Sequence, residues 1–277
     1  EDYAVHHWTT KYNYTSKRNL YKVFKKQWGE GNLEPTDYLI DLHSKTDLYM
    51  KVVSPQATDW PQPDQKPIYN SLLALKVFGV SIMRSFLLSL FTSKQNRRIT
   101  QTQLIDTLNA IENFHFMFNS ICSLRPSGIE GLYAKLARRL NEANDHRSAS
   151  RILSDLINTL NDKKPTLGVF QEKFTALTFT NSNTHQKKLI QYIFTKVEKN
   201  FRGTSEFEPT DLSLEHILSQ SSDETFVGNI GNSKRDSDTS VSCLVYNFMK
   251  YCSSSSLAIL SISNLCLSYS ASCTSQY

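Results

Sequence analysis

The sequence NSLLALKVFGVSIMRSFLLSLF, at residues 70–91, is the most apolar stretch in the body of the chain. Lys76, Gly79 and Arg84 interrupt it, so it falls short of the roughly 20 uninterrupted apolar residues that span a bilayer. We therefore predict a buried central helix rather than a membrane helix. The stripe expected to be most buried consists of Leu73, Phe78, Ile82, Phe86 and Leu90.

Outside this stretch, apolar residues recur three and four positions apart, which is the spacing of one face of a helix. Further helices are predicted at residues 16–28, 35–53, 100–121, 129–143, 148–160, 167–177 and 184–200. Ser16 and Thr166 are suited to cap two of them, and Gly29 to end the first. Leu20, Val23, Phe24 and Trp28 are assigned to the core. His115 is expected to be a hydrogen-bonded core residue rather than a metal ligand.

Composition is that of a soluble globular protein. The 277 residues are 39% hydrophobic and 21% charged, and 31 basic against 26 acidic residues give a net charge of +5. This excess permits nucleic-acid binding without requiring it. The chain begins at Glu1 without a leader sequence, which predicts a cytoplasmic protein and a fragment of a longer one.

The cysteines are unevenly distributed, with Cys122 alone in the body of the chain. The other four are Cys243, Cys252, Cys266 and Cys273. Their spacing fits neither a zinc site nor a small disulfide framework. Free thiols in a reducing compartment are expected.

Two predicted helices carry a basic face opposite their apolar face. Lys22, Lys25 and Lys26 lie on the first, and Lys135, Arg138 and Arg139 lie on the helix at 129–143. A DNA backbone could follow such faces. The alternative is that they are ordinary solvated surfaces.

A candidate catalytic motif is DLSLEHILSQ at residues 211–220, followed by VGNIGN at 227–232. Phosphodiester cleavage needs a general base and a divalent cation to offset charge on the phosphate. His216 is the candidate base and Glu215 the candidate metal ligand. The Gly-Asn segment could fold back so that Asn232, or Asn229, hydrogen-bonds the imidazole. The alternative is an ordinary histidine near an ordinary turn.

The motif resembles the HNH (His-Me finger) domain at the C-terminus of GmrSD-type modification-dependent restriction endonucleases. The matching residues are Glu215, His216, Ile217, Leu218, Gln220, Gly231 and Asn232. Residues 6–26 and 114–140 resemble the helical region that precedes this domain in the same family, so the resemblance covers about residues 1–232. It implies a metal-dependent DNA endonuclease, and Mg²⁺ is the expected cation because it prefers oxygen ligands such as a carboxylate.

The chain departs from the family pattern in two places. Ser219 stands where the family has Pro, and Ser233–Asp236 replaces the expected strand and Asn-bearing helix. The family's ParB-like domain has no counterpart in this chain, although a ParB-like domain or subunit is a partner that the resemblance implies. Because only Glu215 is a clear ligand, weak or no cleavage by this chain is expected.

The sequence thus predicts a mainly α protein in three parts. These are a helical bundle at 1–202, a partial ββα-metal (HNH) segment at 203–232 and an irregular Ser-rich tail at 233–277. The predicted function is cleavage of DNA, including modified DNA, in restriction or phage defence, or an inactive fragment of such an enzyme. The alternative is a non-catalytic helical module that binds nucleic acid or protein.

Overall fold

The computed structural model describes residues 2–125, 128–177 and 184–202. These residues are mainly helical and contain no strand, which confirms the predicted helical character of this part of the chain. The helices are α1 (Asp2–Lys11), α2 (Lys17–Gly29), α3 (Pro35–Ser44), α4 (Thr46–Val53), α5 (Lys66–Val77), α6 (Arg84–Gln95), α7 (Gln101–His115), α8 (Ile129–Glu142), α9 (His146–Asp162), α10 (Leu167–Thr175) and α11 (Thr184–Arg202). The predicted HNH segment and the tail lie outside the described residues.

The chain divides into two compact units. The first comprises residues 1–119 and 124–164, and the second comprises 120–123 and 165–277. Helices α1 to α9 therefore belong to the first unit, and α10 and α11 to the second. The predicted helical region at 1–202 is shared between both units.

Helix α6 is the centre of the first unit. It packs against α8, α1, α4 and α7, while α5 packs on α7 and α9 packs on α7 and α8. Phe86 and Leu90 of α6 are completely buried, and the ring of Phe86 lies 5.9 Å from that of Tyr133. The most apolar stretch of the sequence thus supplies the core of this unit, as predicted.

The prediction of one continuous helix over residues 70–91 is wrong. Helix α5 ends at Val77 and α6 begins at Arg84, with Gly79 between them at a φ of 68°. This left-handed conformation is open to glycine at little cost, and it ends α5 instead of extending the helix. The predicted stripe is also not buried along its whole length, since Leu73 is 38% exposed.

Two other predicted helices are also divided. The stretch 35–53 forms α3 and α4, which meet at Lys45. The stretch 100–121 begins as α7 and continues as a π-helix at Phe116–Ile121. Phe116 and Met117 of this π-helix are both buried.

Local capping explains why several other helix ends were predictable. Thr100 and Gln103 form a reciprocal capping box at the start of α7, with bonds of 3.1 and 2.9 Å. Asp145 accepts a hydrogen bond of 2.8 Å from the Ser148 amide at the start of α9. Thr166 caps α10, as predicted. Such caps satisfy amides that have no partner within the helix.

The described residues of the second unit form α10 and α11. Phe170 and Phe174 stack along α10 with ring centroids 5.5 Å apart. In α11 the predicted inward residues are all buried, namely Leu189, Ile190, Ile193, Phe194 and Val197. Cys122 is a buried free thiol, as expected. The four cysteines after residue 240 lie outside the described residues.

Candidate nucleic-acid interface

The residues of the candidate cleavage motif follow the last described helix. Glu215, His216, Asn229 and Asn232 all lie beyond Arg202 and outside the described residues. Their proposed roles therefore stay predictions from the sequence. The described residues do include all six basic residues that the sequence suggested for DNA binding.

The inner face of α2 is held by an aromatic cluster in the first unit. Leu20, Val23 and Phe24 pack against the buried Trp8, Leu33 and Tyr38. The rings of Phe24 and Tyr38 meet edge to face at 5.4 Å, a favoured geometry for aromatic pairs. This packing fixes the rotation of α2 and therefore determines which of its side chains face solvent.

The outer face of α2 combines basic and aromatic side chains. We call it the aromatic–basic face, and it consists of Arg18, Tyr21, Lys22, Lys25 and Trp28. Tyr21 is 76% exposed and Trp28 is 56% exposed, and the three cations are also exposed. Tyr21, Lys22 and Lys25 lie three, four and seven residues after Arg18, and Trp28 lies three residues after Lys25, so these side chains share one side of the helix.

The cations of this face are available to a ligand. Arg18, Lys22 and Lys25 form no hydrogen bond or ion pair with another residue in the described part of the chain. Lys26 lies at the margin of the face, where its ammonium is 3.8 Å from the Glu30 carboxylate. Such an exposed pair contributes little energy, so Lys26 can still contact a phosphate.

The assignment of Trp28 to the core is wrong. Its side chain lies at the edge of the apolar stripe, seven residues from Tyr21 and on the same exposed side. Sequence reasoning also missed Tyr21. The available signal was the pair of aromatic residues seven apart among lysines, which is two turns of a helix.

The three cations of α8 differ in their availability. Arg138 donates a hydrogen bond to the Asn13 side chain, and Arg139 lies 3.2 Å from Asp155. Lys135 is exposed. Because α1 packs against both α2 and α8, the six candidates lie on two helices that share one neighbour. Only those on α2 are interleaved with exposed aromatic rings.

Two buried histidines have structural partners. Nε2 of His7 lies 2.7 Å from Asp41 Oδ2, and Nε2 of His115 lies 3.0 Å from the Tyr133 hydroxyl. Burial lowers the pKa of both to about 4, although hydrogen bonds with Asp41 and Asn119, respectively, oppose this shift. Both are neutral at pH 7 and completely shielded from solvent. The predicted core role of His115 is confirmed.

Comparisons of the chain with protein-family models, curated proteins and solved structures find no match. None of the helices at residues 2–125, 128–177 and 184–202 has both the length and the apolar character needed to cross a bilayer. Within the same residues, no three His, Cys, Asp or Glu side chains are grouped so that they could hold a metal ion. Glu215 lies outside these residues.

Proposed function

We propose that this protein is a DNA-binding chain of a metal-dependent endonuclease of the restriction and phage-defence kind. The helical region holds the DNA through the aromatic–basic face of α2. The segment at 203–232 supplies the cleavage chemistry. The observation that supports the DNA-binding half most strongly is the exposure of Tyr21 and Trp28 among unpaired cations.

Both residue types of the aromatic–basic face can contact DNA. Lysine and arginine neutralise phosphates and release condensed counterions, which drives binding without regard to sequence. A solvated surface would account for Lys22 and Lys25, but it gives no reason to leave two large rings in water. Base stacking on an exposed ring contributes about 1–3 kcal/mol per base. An aromatic ring beside a cation is therefore suited to unpaired or distorted DNA.

The proposed cleavage chemistry rests on the sequence of the later segment. His216 is the general base, and Glu215 holds a divalent cation that we propose to be Mg²⁺. Asn232, with Asn229 as the second candidate, orients the imidazole through a hydrogen bond. A ParB-like domain or subunit is the proposed partner. With Glu215 as the one clear ligand in the sequence, cleavage is expected to be weak or absent.

The competing function is a helical module that binds nucleic acid or protein without cutting. The aromatic–basic face supports nucleic acid as its ligand, and it does not depend on the later segment. Binding and cleavage are thus separate claims, and each has its own experiment.

The binding claim is tested by fluorescence anisotropy with labelled single-stranded and duplex DNA. The double variant Tyr21→Ala/Trp28→Ala is expected to weaken single-strand binding at least about tenfold, since it removes two stacking platforms. The matched control is Leu39→Ala/Ile40→Ala on α3, which removes two other exposed apolar side chains that are 57% and 63% accessible. Equal affinities of the two double variants would contradict the stacking role.

The cleavage claim is tested by incubating the 277-residue chain with plasmid DNA and Mg²⁺. Any cleavage above background should disappear in His216→Ala and should need a higher Mg²⁺ concentration in Glu215→Gln. Binding should remain in both variants. Binding without cleavage in the unaltered chain would favour the non-catalytic module, and cleavage that survives His216→Ala would exclude His216 as the base.

A further inference from the structure

A concave site lies in the first unit, where α1 and the start of α2 meet the start of α6 and of α8. It is a cavity of about 490 Å³, within the size range of small-molecule sites. Its floor is formed by the buried residues Val5, Thr9, Thr15, Ser85 and Ala134. Its rim is formed by the exposed residues Asp2, Lys17, Arg18, Ser81 and Glu130. The site is therefore closed at the bottom and charged at the entrance.

The cations of the cavity outnumber its carboxylates. Lys17, Arg18 and Arg84 carry three positive charges, and Asp2 and Glu130 carry two negative charges. Asp2 is paired with Lys17, and the Tyr14 hydroxyl donates a hydrogen bond to Glu130. Both carboxylates thus have partners within the lining, and the lining retains an excess of one positive charge.

Arg84 is the cation that the fold positions most firmly. It is half-buried and hydrogen-bonded to the phenol oxygen of Tyr49, whose hydroxyl also lies 2.8 Å from His6 Nδ1. Burial and the nearby Arg84 charge lower the pKa of His6 to about 4, so His6 is neutral at pH 7 and can accept that hydroxyl proton. Neither Tyr49 nor His6 offsets the charge of Arg84.

Arg84 and Arg18 are the two guanidinium groups of this cavity without an acidic partner. Neither forms an ion pair with a carboxylate in the described part of the chain. A half-buried guanidinium without a counterion is costly, and an anion in the cavity would remove that cost. Guanidinium groups fit phosphate oxygens in a bidentate geometry.

We propose that this cavity binds a phosphate monoester of about mononucleotide size, with Arg84 and Arg18 on the phosphate oxygens. A phosphate monoester carries about −1.5 to −2 charges at pH 7, so it matches the charge of two guanidinium groups without acidic partners better than a ligand with one carboxylate would. The hydroxyls of Thr9, Thr15 and Ser85 on the floor can bind the remaining polar atoms of the ligand. Binding of a free phosphate monoester does not depend on DNA binding by the aromatic–basic face, whereas binding of a strand end rests on that proposed function.

The same phosphate chemistry has two sources. One is a free nucleotide, and the other is the 5′-terminal phosphate of a DNA strand held on α2. The second is geometrically reasonable because Arg18 belongs to both the cavity rim and the aromatic–basic face. The experiment distinguishes the two with separate ligands.

The free-ligand arm is isothermal titration of the full chain with adenosine 5′-monophosphate and with adenosine. The strand arm is anisotropy with one oligonucleotide bearing either a 5′-phosphate or a 5′-hydroxyl. We expect at least about a tenfold preference for the phosphorylated ligand in one arm or both, since charge-assisted hydrogen bonds are the strong ones. Arg84→Gln should abolish that preference, and Arg18→Gln should reduce it by about fivefold. Arg151→Gln, at an exposed arginine of α9 outside the cavity, should leave it unchanged.

Arg18→Gln keeps the test decisive if Arg84→Gln fails to fold, because Arg18 is exposed. Tyr21→Ala/Trp28→Ala should keep the binding of the free nucleotide, which separates this inference from the proposed DNA binding. No preference for phosphate in either arm would overturn the proposal. A preference that survives both arginine variants would overturn it as well.

Discussion

His115 makes the stability of the first unit depend on pH. The ring is completely buried, with Nδ1 2.5 Å from Asn119 Oδ1 and Nε2 3.0 Å from the Tyr133 hydroxyl. With Oδ1 as the acceptor, Nδ1 carries the proton and Nε2 accepts from the tyrosine. A second proton would leave two donors facing each other at Nε2 unless the hydroxyl turned away. The folded protein therefore favours the neutral ring.

The size of the effect follows from the difference between the folded and unfolded pKa values. Burial lowers the pKa of His115 from 6.5 to about 4, although the hydrogen bond with Asn119 opposes this shift. Between these values the unfolded chain binds a proton that the folded chain does not bind. The free energy of unfolding consequently falls as the pH falls through this window. At about 1.4 kcal/mol per pH unit, the loss is about 2–3 kcal/mol between pH 7 and pH 4.5.

The assay is urea unfolding followed by tryptophan fluorescence at several pH values between about 7 and 4.5. In His115→Gln, the free energy of unfolding should fall by about 2–3 kcal/mol less over this range than in the unaltered chain. His6 and His7 are present in both proteins, so their contributions cancel. His146→Gln, at an exposed histidine at the start of α9, is the matched control. An unchanged pH dependence in His115→Gln would refute the assignment of a neutral buried ring.

Three further predictions concern packing and the basic helices. Phe86→Ala should lower the free energy of unfolding by about 3–5 kcal/mol in urea titrations, because the ring is completely buried against Tyr133. Trp28→Ala should change it by less than about 0.5 kcal/mol in the same assay, because the ring is exposed. Arg138→Gln/Arg139→Gln should weaken DNA binding in anisotropy titrations less than Lys22→Gln/Lys25→Gln does, because Lys22 and Lys25 lie between the exposed rings of Tyr21 and Trp28, whereas α8 carries no exposed aromatic ring. A large loss of stability in Trp28→Ala, or equal binding losses in the two basic pairs, would contradict the respective prediction.

The helices that could be predicted are those whose ends are determined locally. Helix α2 begins directly after Ser16, whose side chain forms no capping hydrogen bond, and ends at Gly29, and α10 follows a Thr166 cap. Helix α8 is clearly amphipathic, and its observed bounds, Ile129–Glu142, differ from the prediction by one residue. In each case the apolar spacing and the terminal residues indicate the same helix bounds.

The three helix breaks were not predicted, although the first one carries a local signal in Gly79. Between residues 70 and 91, 14 of 22 positions are apolar and they lie on both sides of Gly79, so their pattern predicts one continuous helix. Lys45 separates α3 from α4 without a proline or glycine. The π-helix after α7 likewise depends on which side chains the surrounding core admits.

The candidate interface was predicted in part. The lysines of α2 were identifiable because they lie opposite an apolar stripe. The exposure of Tyr21 and Trp28 was not, since an aromatic residue next to such a stripe is usually buried. The cavity around Arg84 was also beyond prediction, because its lining comes from four separate segments of the chain.

The most direct test of the central claim is the salt dependence of DNA binding. The dissociation constant for duplex DNA is measured between about 50 and 200 mM salt for the unaltered chain, Lys22→Gln/Lys25→Gln and Lys51→Gln/Lys163→Gln. The last variant removes the same charge from exposed lysines outside the aromatic–basic face. If the face contacts phosphates, Lys22→Gln/Lys25→Gln should reduce the slope of log K against log salt by about 2. Lys51→Gln/Lys163→Gln should leave the slope unchanged. Equal slopes in all three proteins would contradict DNA binding through α2.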